Sequence, residues 1–248
     1  TVTKKKSRAS TRAWTCVSKY RPGLTVNSGR VRFESVRGAT RTAMSRIAER
    51  AVKPCLFMLL AAPFVALVVR AFQDQLGANP VETLTHETGE WALRLVILTL
   101  ALTPARMWLR WNGAIRLRRM CGLYAFFYAV MHFTTYLWLD QFFDVQAIVE
   151  DIVKRPYITI GFAAVVVMVP LALTSTNNMI KRLGGARWRT LHRLAYVAAI
   201  LGAAHFIWLV KADYAEPLIY AGVLAILLLA RLPWRRWFSA KPSGTIGG

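Results

Sequence analysis

The chain has 248 residues, 55% of them apolar, and a formal net charge of +21. In a soluble domain that charge would point to nucleic acid. Here the apolar residues come in runs long enough to cross a bilayer, about 20 residues each, so a membrane protein is expected and a nucleic-acid partner is not. Cys16, Cys55 and Cys121 lie far apart, which is no disulfide framework. The absence of Cys-x-x-Cys-His excludes covalent c-type haem attachment, and no Cys-x-x-Cys pair suggests zinc or an iron–sulfur cluster.

Residues 1–43 carry Lys4, Lys5, Lys6, Arg8 and Arg12 against a single acid, Glu34. They show no sustained apolar period, so disorder is expected. Met44 stands just before a lead-in to the first apolar run, and the segment reads as an over-extended start. A transit peptide, equally basic, Ser-rich and acid-poor, is the alternative. Met44 at the N-terminus of natively expressed protein would decide for the first reading, and a peptide from 1–40 would sink it.

Six runs then follow: Val52–Phe72, Trp91–Trp108, Leu117–Leu139, Tyr157–Ser175, Leu191–Val210 and Ala215–Leu232. Backbone polar groups cannot go unpaired in lipid, and the runs are too long and too continuously apolar for barrel strands, so each is expected to be a helix. The fold class is all-α, a polytopic membrane protein with a six-transmembrane-helix bundle over 44–238 and a short tail at 239–248.

Charge sets the orientation. Asp74, Glu82, Glu87, Glu90, Asp140, Asp144, Glu150, Asp151, Asp213 and Glu216 all fall in or beside the first, third and fifth loops. Arg106, Arg110, Arg116, Arg118 and Arg119 fall in the second loop region, Lys181, Arg182, Arg187, Arg189 and Arg193 in the fourth, and Arg231, Arg235, Arg236 and Lys241 in the tail. Lys and Arg mark the cytoplasmic side. Both termini are therefore expected in the cytoplasm of a bacterium, with the chain multi-pass in its inner membrane and drawn to anionic lipid.

Ionisable residues inside a span are costly and are functional candidates. His132 lies 15 residues after Leu117 and His205 lies 18 after Arg187, on spans that run in the same direction. At ~1.5 Å per residue their depths differ by about 5 Å. Two imidazoles at matched depth can clamp a haem iron from both faces. Gly202, Ala203 and Ala204 would leave room for a flat macrocycle, and Phe127, Tyr128, Phe133 and Tyr136 would line it. His192, 13 residues before His205, suits a second, inner haem, although an ideal helix would turn it by about 140° from His205. A hydrogen-bonded packing residue or a proton relay is the plainer reading of any of these three. His86 reads as a loop or helix-start residue. Arg94 is expected to reach the outer interface or a haem propionate. Trp188, Trp208, Trp234 and Trp237 read as interfacial anchors. No Walker loop, Gly-x-Gly-x-x-Gly or Ser-His-Asp grouping is present, so hydrolysis and soluble-type nucleotide chemistry have no support.

His86-Glu-Thr-Gly-Glu-Trp-Ala-Leu, Leu102-Thr-Pro, Arg118-Arg-Met-Cys-Gly-Leu, Arg155-Pro-Tyr-Ile-Thr-Ile-Gly, Leu173-Thr-Ser-Thr, Trp188-Arg-Thr-Leu-His-Arg-Leu-Ala-Tyr and Pro217-Leu-Ile-Tyr-Ala-Gly follow one another in that order. Over about residues 44–238 this set resembles the MsrQ (YedZ) family. Those are the haem-binding membrane subunits of periplasmic methionine-sulfoxide reductase systems, within the ferric-reductase-like transmembrane group. Residues 1–43 have no counterpart. The resemblance implies haem b, one or two, with iron ligands at His132, His205 and His192, and associates FMN with the chain. It implies electrons arriving from the quinone pool or a cytoplasmic flavin reductase. They leave to a periplasmic molybdenum-containing partner that reduces methionine sulfoxide, reversing a common oxidative lesion. The chain would then be an electron-transfer subunit rather than the catalytic one.

Beside these histidines, Arg118, Arg119 and Arg189 are expected to bind haem propionates, a flavin phosphate or a negatively charged donor. Positive-inside topology accounts for the same arginines. Two rivals belong to other classes. A proton-coupled transporter using His132 and His205 as a relay would lack visible absorbance. A self-contained quinol-oxidising cytochrome b would turn over without a partner.

Overall fold

The computed structural model describes residues 34–109 and 114–231, with side chains from 52–106 and 117–231. The expectations for 1–33 and for the 239–248 tail lie outside the described residues. The chain divides into two compact units, Thr1–Ile47 and Ala48–Gly248, and the second holds the helix bundle.

Every described element is helical: α1 (Glu34–Phe72), α2 (Pro80–Leu109), α3 (Ala114–Thr135), α4 (Val145–Lys154), α5 (Pro156–Leu173), α6 (Asn177–Leu183), α7 (Gly185–Leu191), α8 (Leu194–Leu209) and α9 (Ala215–Leu229). Helix α1 begins within the segment expected to be irregular. Six of the nine, α1, α2, α3, α5, α8 and α9, coincide with the six apolar runs. Val52–Phe72, Pro156–Leu173 and Gly185–Leu209 are long and apolar enough to cross a membrane, and Ala215–Leu229 is apolar but shorter. Helices α2 and α3 carry charge within their length, Glu87, Glu90 and Arg94 on one and Arg118 and Arg119 on the other.

Proline marks where elements begin and bend. Pro80 and Pro156 open α2 and α5, where a missing N–H costs nothing. Pro63 lies inside α1 and removes one rung of its ladder. The Tyr128 hydroxyl repairs the neighbouring rung. It donates to the Leu60 carbonyl at 2.9 Å and accepts from the Phe64 N–H at 3.0 Å, the two groups an unbroken helix would pair with each other. Tyr128 is fully buried and packs with Leu60, Leu95, Leu102, Cys121 and Ala125. Tyr124 adds a second tie, its hydroxyl donating to the Phe57 carbonyl at 3.0 Å. These bonds stitch α3 to α1 in a region where hydrophobic attraction between helices is weak and polar ties matter more.

Helix α2 packs chiefly on α3, and α5 on α8, with α3 also meeting α5. Small residues permit the approach of α8, whose Ala199 and Ala203 are buried with Leu100 of α2 and Leu224 of α9. At its C-terminal end α3 passes into one π-helical turn, Tyr136–Asp140. The acidic residues of the first, third and fifth loops gather at one end of the bundle, and α6 and α7 lie at the basic end.

Candidate functional site

His132 projects from α3 and His205 from α8. Their ring centres are 6.0 Å apart and the ring planes meet at 74°. A metal between two imidazoles would set the ring centres about 6 Å apart, given metal–nitrogen bonds of about 2 Å on each side. Each ring uses Nδ1 to donate to a backbone carbonyl, His132 to Thr85 on α2 at 2.8 Å and His205 to Tyr157 on α5 at 2.7 Å. That bond fixes the tautomer and leaves Nε2 free to take a metal, the arrangement usual for the outer support of a metal-bound histidine.

The same carbonyl-to-glycine spacing supports both rings. Four residues after Thr85 stands Gly89, and four after Tyr157 stands Gly161. A Cβ on Gly89 would lie 3.0 Å from His132 Nδ1, and one on Gly161 would lie 2.7 Å from His205 Nδ1. Each imidazole therefore occupies the space a side chain would take on the neighbouring helix. Both rings line a cavity of about 630 Å³, within the range of roughly 300–1,000 Å³ common for small-molecule and cofactor sites. Phe133, Tyr136, Phe162 and Phe206 line its apolar walls. The donor set and the room both fit a haem.

Arg155 lines the cavity at the acidic end and pairs with Asp151 at 3.2 Å. A hydrogen bond with Tyr157, and then the Asp151 carboxylate, hold the guanidinium above its ordinary range. Glu90 lines the cavity too. Arg94 donates to Glu90 at 2.6 Å and to the Tyr220 hydroxyl at 2.7 Å, with its guanidinium 5.3 Å from the Trp91 ring centre. His86 is exposed.

His192 sits apart from this pair. At His192 and Arg193, between α7 and α8, the backbone tightens into i→i+3 bonds while the span Gly185–Leu209 continues. The His192 ring stacks on Trp188 at 3.9 Å, and Trp188 donates its indole N–H to the Thr174 carbonyl at 2.9 Å. Both nitrogens of His192 are buried without a hydrogen-bond partner among the described residues. Arg118 is within electrostatic reach of His192 and of Arg231. Arg231 lies over Tyr196 at 5.1 Å, donates to the Leu100 carbonyl, and keeps Nε and one terminal nitrogen buried and unpaired among the described residues. Arg119 instead donates to Asn177 at 2.7 Å, and Arg189 is exposed. Gly89 and Gly161 were not singled out by sequence, and Arg231 only as part of the basic tail.

A profile for the ferric reductase like transmembrane component matches residues 88–203. Chains named protein-methionine-sulfoxide reductase heme-binding subunit MsrQ are similar along most of the length. The one from Herminiimonas arsenicoxydans is 50% identical over 79% of this chain and 91% of its own. The one from Ralstonia nicotianae is 49% identical over 80% and 92%, and the one from Deinococcus radiodurans 52% identical over 68% and 84%.

Proposed function

The chain belongs to the MsrQ family of haem-binding membrane subunits, and from that premise we propose that it carries electrons across the bacterial inner membrane on haem b held between His132 and His205. The observation that carries this reading is the apposition of the two rings, 6.0 Å between centres, each oriented by a backbone carbonyl. Haem bound there would supply one-electron oxidation and reduction of its iron. The chain's own residues do the rest. The Thr85 and Tyr157 carbonyls hold the imidazoles in the ligating tautomer, Gly89 and Gly161 give them room, and aromatic rings wall the cavity. Axial ligand, hydrogen bonding and burial are the means by which such a site sets its potential.

His192 is the ligand of a second, inner haem in this reading. Its support is the pair of buried, unpartnered ring nitrogens and the nearby Arg118. Arg118, with Arg119 and Arg189 at the same basic end, offers charge for propionates, for the phosphate of FMN, or for a negatively charged donor. Electrons enter there from quinol or a flavin reductase. They leave at the acidic end to a periplasmic molybdenum-containing subunit that reduces methionine sulfoxide. Both termini lie in the cytoplasm, and residues 44–238 form the working domain.

Visible spectra of the purified protein, oxidised and dithionite-reduced, test the reading. Sharp reduced bands of six-coordinate haem b should disappear in His132→Ala and in His205→Ala, and a partial loss in His192→Ala would mark the second haem. A colourless protein that cannot be reconstituted with haem would overturn the proposal in favour of a transporter.

A further inference from the structure

We propose that the turn Phe142–Phe143, with the acids around it, is the docking surface for a soluble electron acceptor that is positively charged around its own redox group. This rests on the electron-transfer function proposed for the chain.

The turn is built to hold two aromatic rings outward. Phe142 and Phe143 have φ of 48° and 60°, a left-handed backbone that bulky residues seldom adopt and that tends to mark functional segments when the surroundings enforce it. Here they do. The Gln141 N–H donates to Tyr136 O at 3.0 Å, Phe143 N–H to Leu137 O at 2.8 Å and Asp144 N–H to Gln141 O at 2.8 Å. On the far side Asp144 caps α4, accepting from the N–H groups of Gln146 and Ala147 at 2.9 and 3.1 Å. The π-helical turn that leads in begins four residues after His132, and such turns recur at functional sites.

The rings are 79% and 59% exposed, yet they are flanked by Asp140, Gln141 and Asp144. Those carboxylates need water, so the turn belongs at the aqueous boundary rather than in hydrocarbon. Phe142 and Asp140 also line the cavity that His132 and His205 share. The surface is thus continuous with the cavity the two histidines share.

Charge names the partner. At this end Arg70, Arg94, Lys154 and Arg155 are each engaged by a carboxylate, at 2.5, 2.6, 2.8 and 3.2 Å. Asp74, Glu82, Asp140, Asp144, Asp213 and Glu216 are outside those pairs, with Lys211 as the opposing cation. The net field is negative and would steer a basic surface toward the mouth. Exposed aromatics inside a charged rim are the usual composition of a binding centre.

The test uses haem-loaded protein in nanodiscs, reduced with limiting dithionite and mixed in stopped flow with the purified methionine-sulfoxide reductase catalytic subunit. The variants are Phe143→Ala and Asp144→Asn. Neither residue lines the cavity, and Asn keeps the helix cap. The second-order rate of haem reoxidation should fall as salt rises. Phe143→Ala should lower it at least tenfold, and Asp144→Asn should lower it and flatten the salt dependence. Reoxidation by ferricyanide should match the unmodified protein for both. If the unmodified protein shows haem bands and reduces the catalytic subunit, but the rate ignores salt and both variants match it, the docking proposal fails alone. It fails likewise if a nitroxide on Phe143→Cys is relaxed by oxygen but not by a water-soluble nickel chelate, which would put the turn in lipid. A protein without haem bands brings down the electron-transfer reading and the proposal together.

Discussion

A methyl group on Gly161 would stand 2.7 Å from Nδ1 of His205 and 2.9 Å from its Cε1. That is closer than side-chain carbons are found to approach, and the ring is held in place by its bond to Tyr157 O. Gly161→Ala should therefore displace the imidazole and break that bond. The expected result is at least a tenfold loss of retained haem, with the remainder five-coordinate and open to carbon monoxide after reduction. Spectra with and without carbon monoxide measure this; a six-coordinate, fully loaded Gly161→Ala protein would contradict it.

Gly89 is the milder counterpart. Its added Cβ would lie 3.0 Å from His132 Nδ1 and 3.1 Å from Cε1, so a shift of a few tenths of an ångström relieves the contact. Gly89→Ala should keep haem but loosen it, with faster transfer to apomyoglobin than the unmodified protein and slower than Gly161→Ala. The reverse ranking would mean that α2, not α5, is the stiffer support.

Tyr128→Phe removes the hydroxyl that bridges Leu60 O and Phe64 N–H at 2.9 and 3.0 Å. Both backbone groups would be left without it beside Pro63. Leaving a buried polar group unsatisfied costs about 1–3 kcal/mol, so the variant should unfold measurably earlier in mixed micelles. Its haem spectrum should be unchanged, since the bridge lies between α1 and α3 and touches neither histidine. Equal stability would show that α1 can close its own rung.

The six long helices were legible because lipid forces contiguous apolar runs and internal pairing of the backbone. The depth match of His132 and His205 was legible for the same reason, since rise per residue converts sequence position to depth. His192 was harder. Treating it as part of one ideal helix with His205 gave a rotation of about 140°, and the tighter turn at His192 and Arg193 departs from that ideal. The short α4, α6 and α7 and the π-helical turn fall below the length at which periodicity speaks. What a glycine lies against is tertiary information, and so the cradles at Gly89 and Gly161 could not be read. The Glu90–Arg94 pair at i,i+4 spacing could have been.

That pair leads to a prediction about potential. Glu90 lines the cavity, and its charge is offset by Arg94 at 2.6 Å, which also donates to Tyr220 at 2.7 Å. Reduction adds an electron to the site, so an uncompensated carboxylate nearby opposes it. Arg94→Gln should lower the midpoint potential and Glu90→Gln should raise it. For a charge roughly 10 Å away at an effective dielectric of about 20, the interaction is about 1–2 kcal/mol, or on the order of 40–90 mV for a one-electron couple. The double variant should fall between the two. Redox titration of the reduced band measures all three. Shifts of one sign in both single variants would mean that they act by disturbing the fold, and no shift in either would place Glu90 too far from the haem, or too well solvated, to tune it.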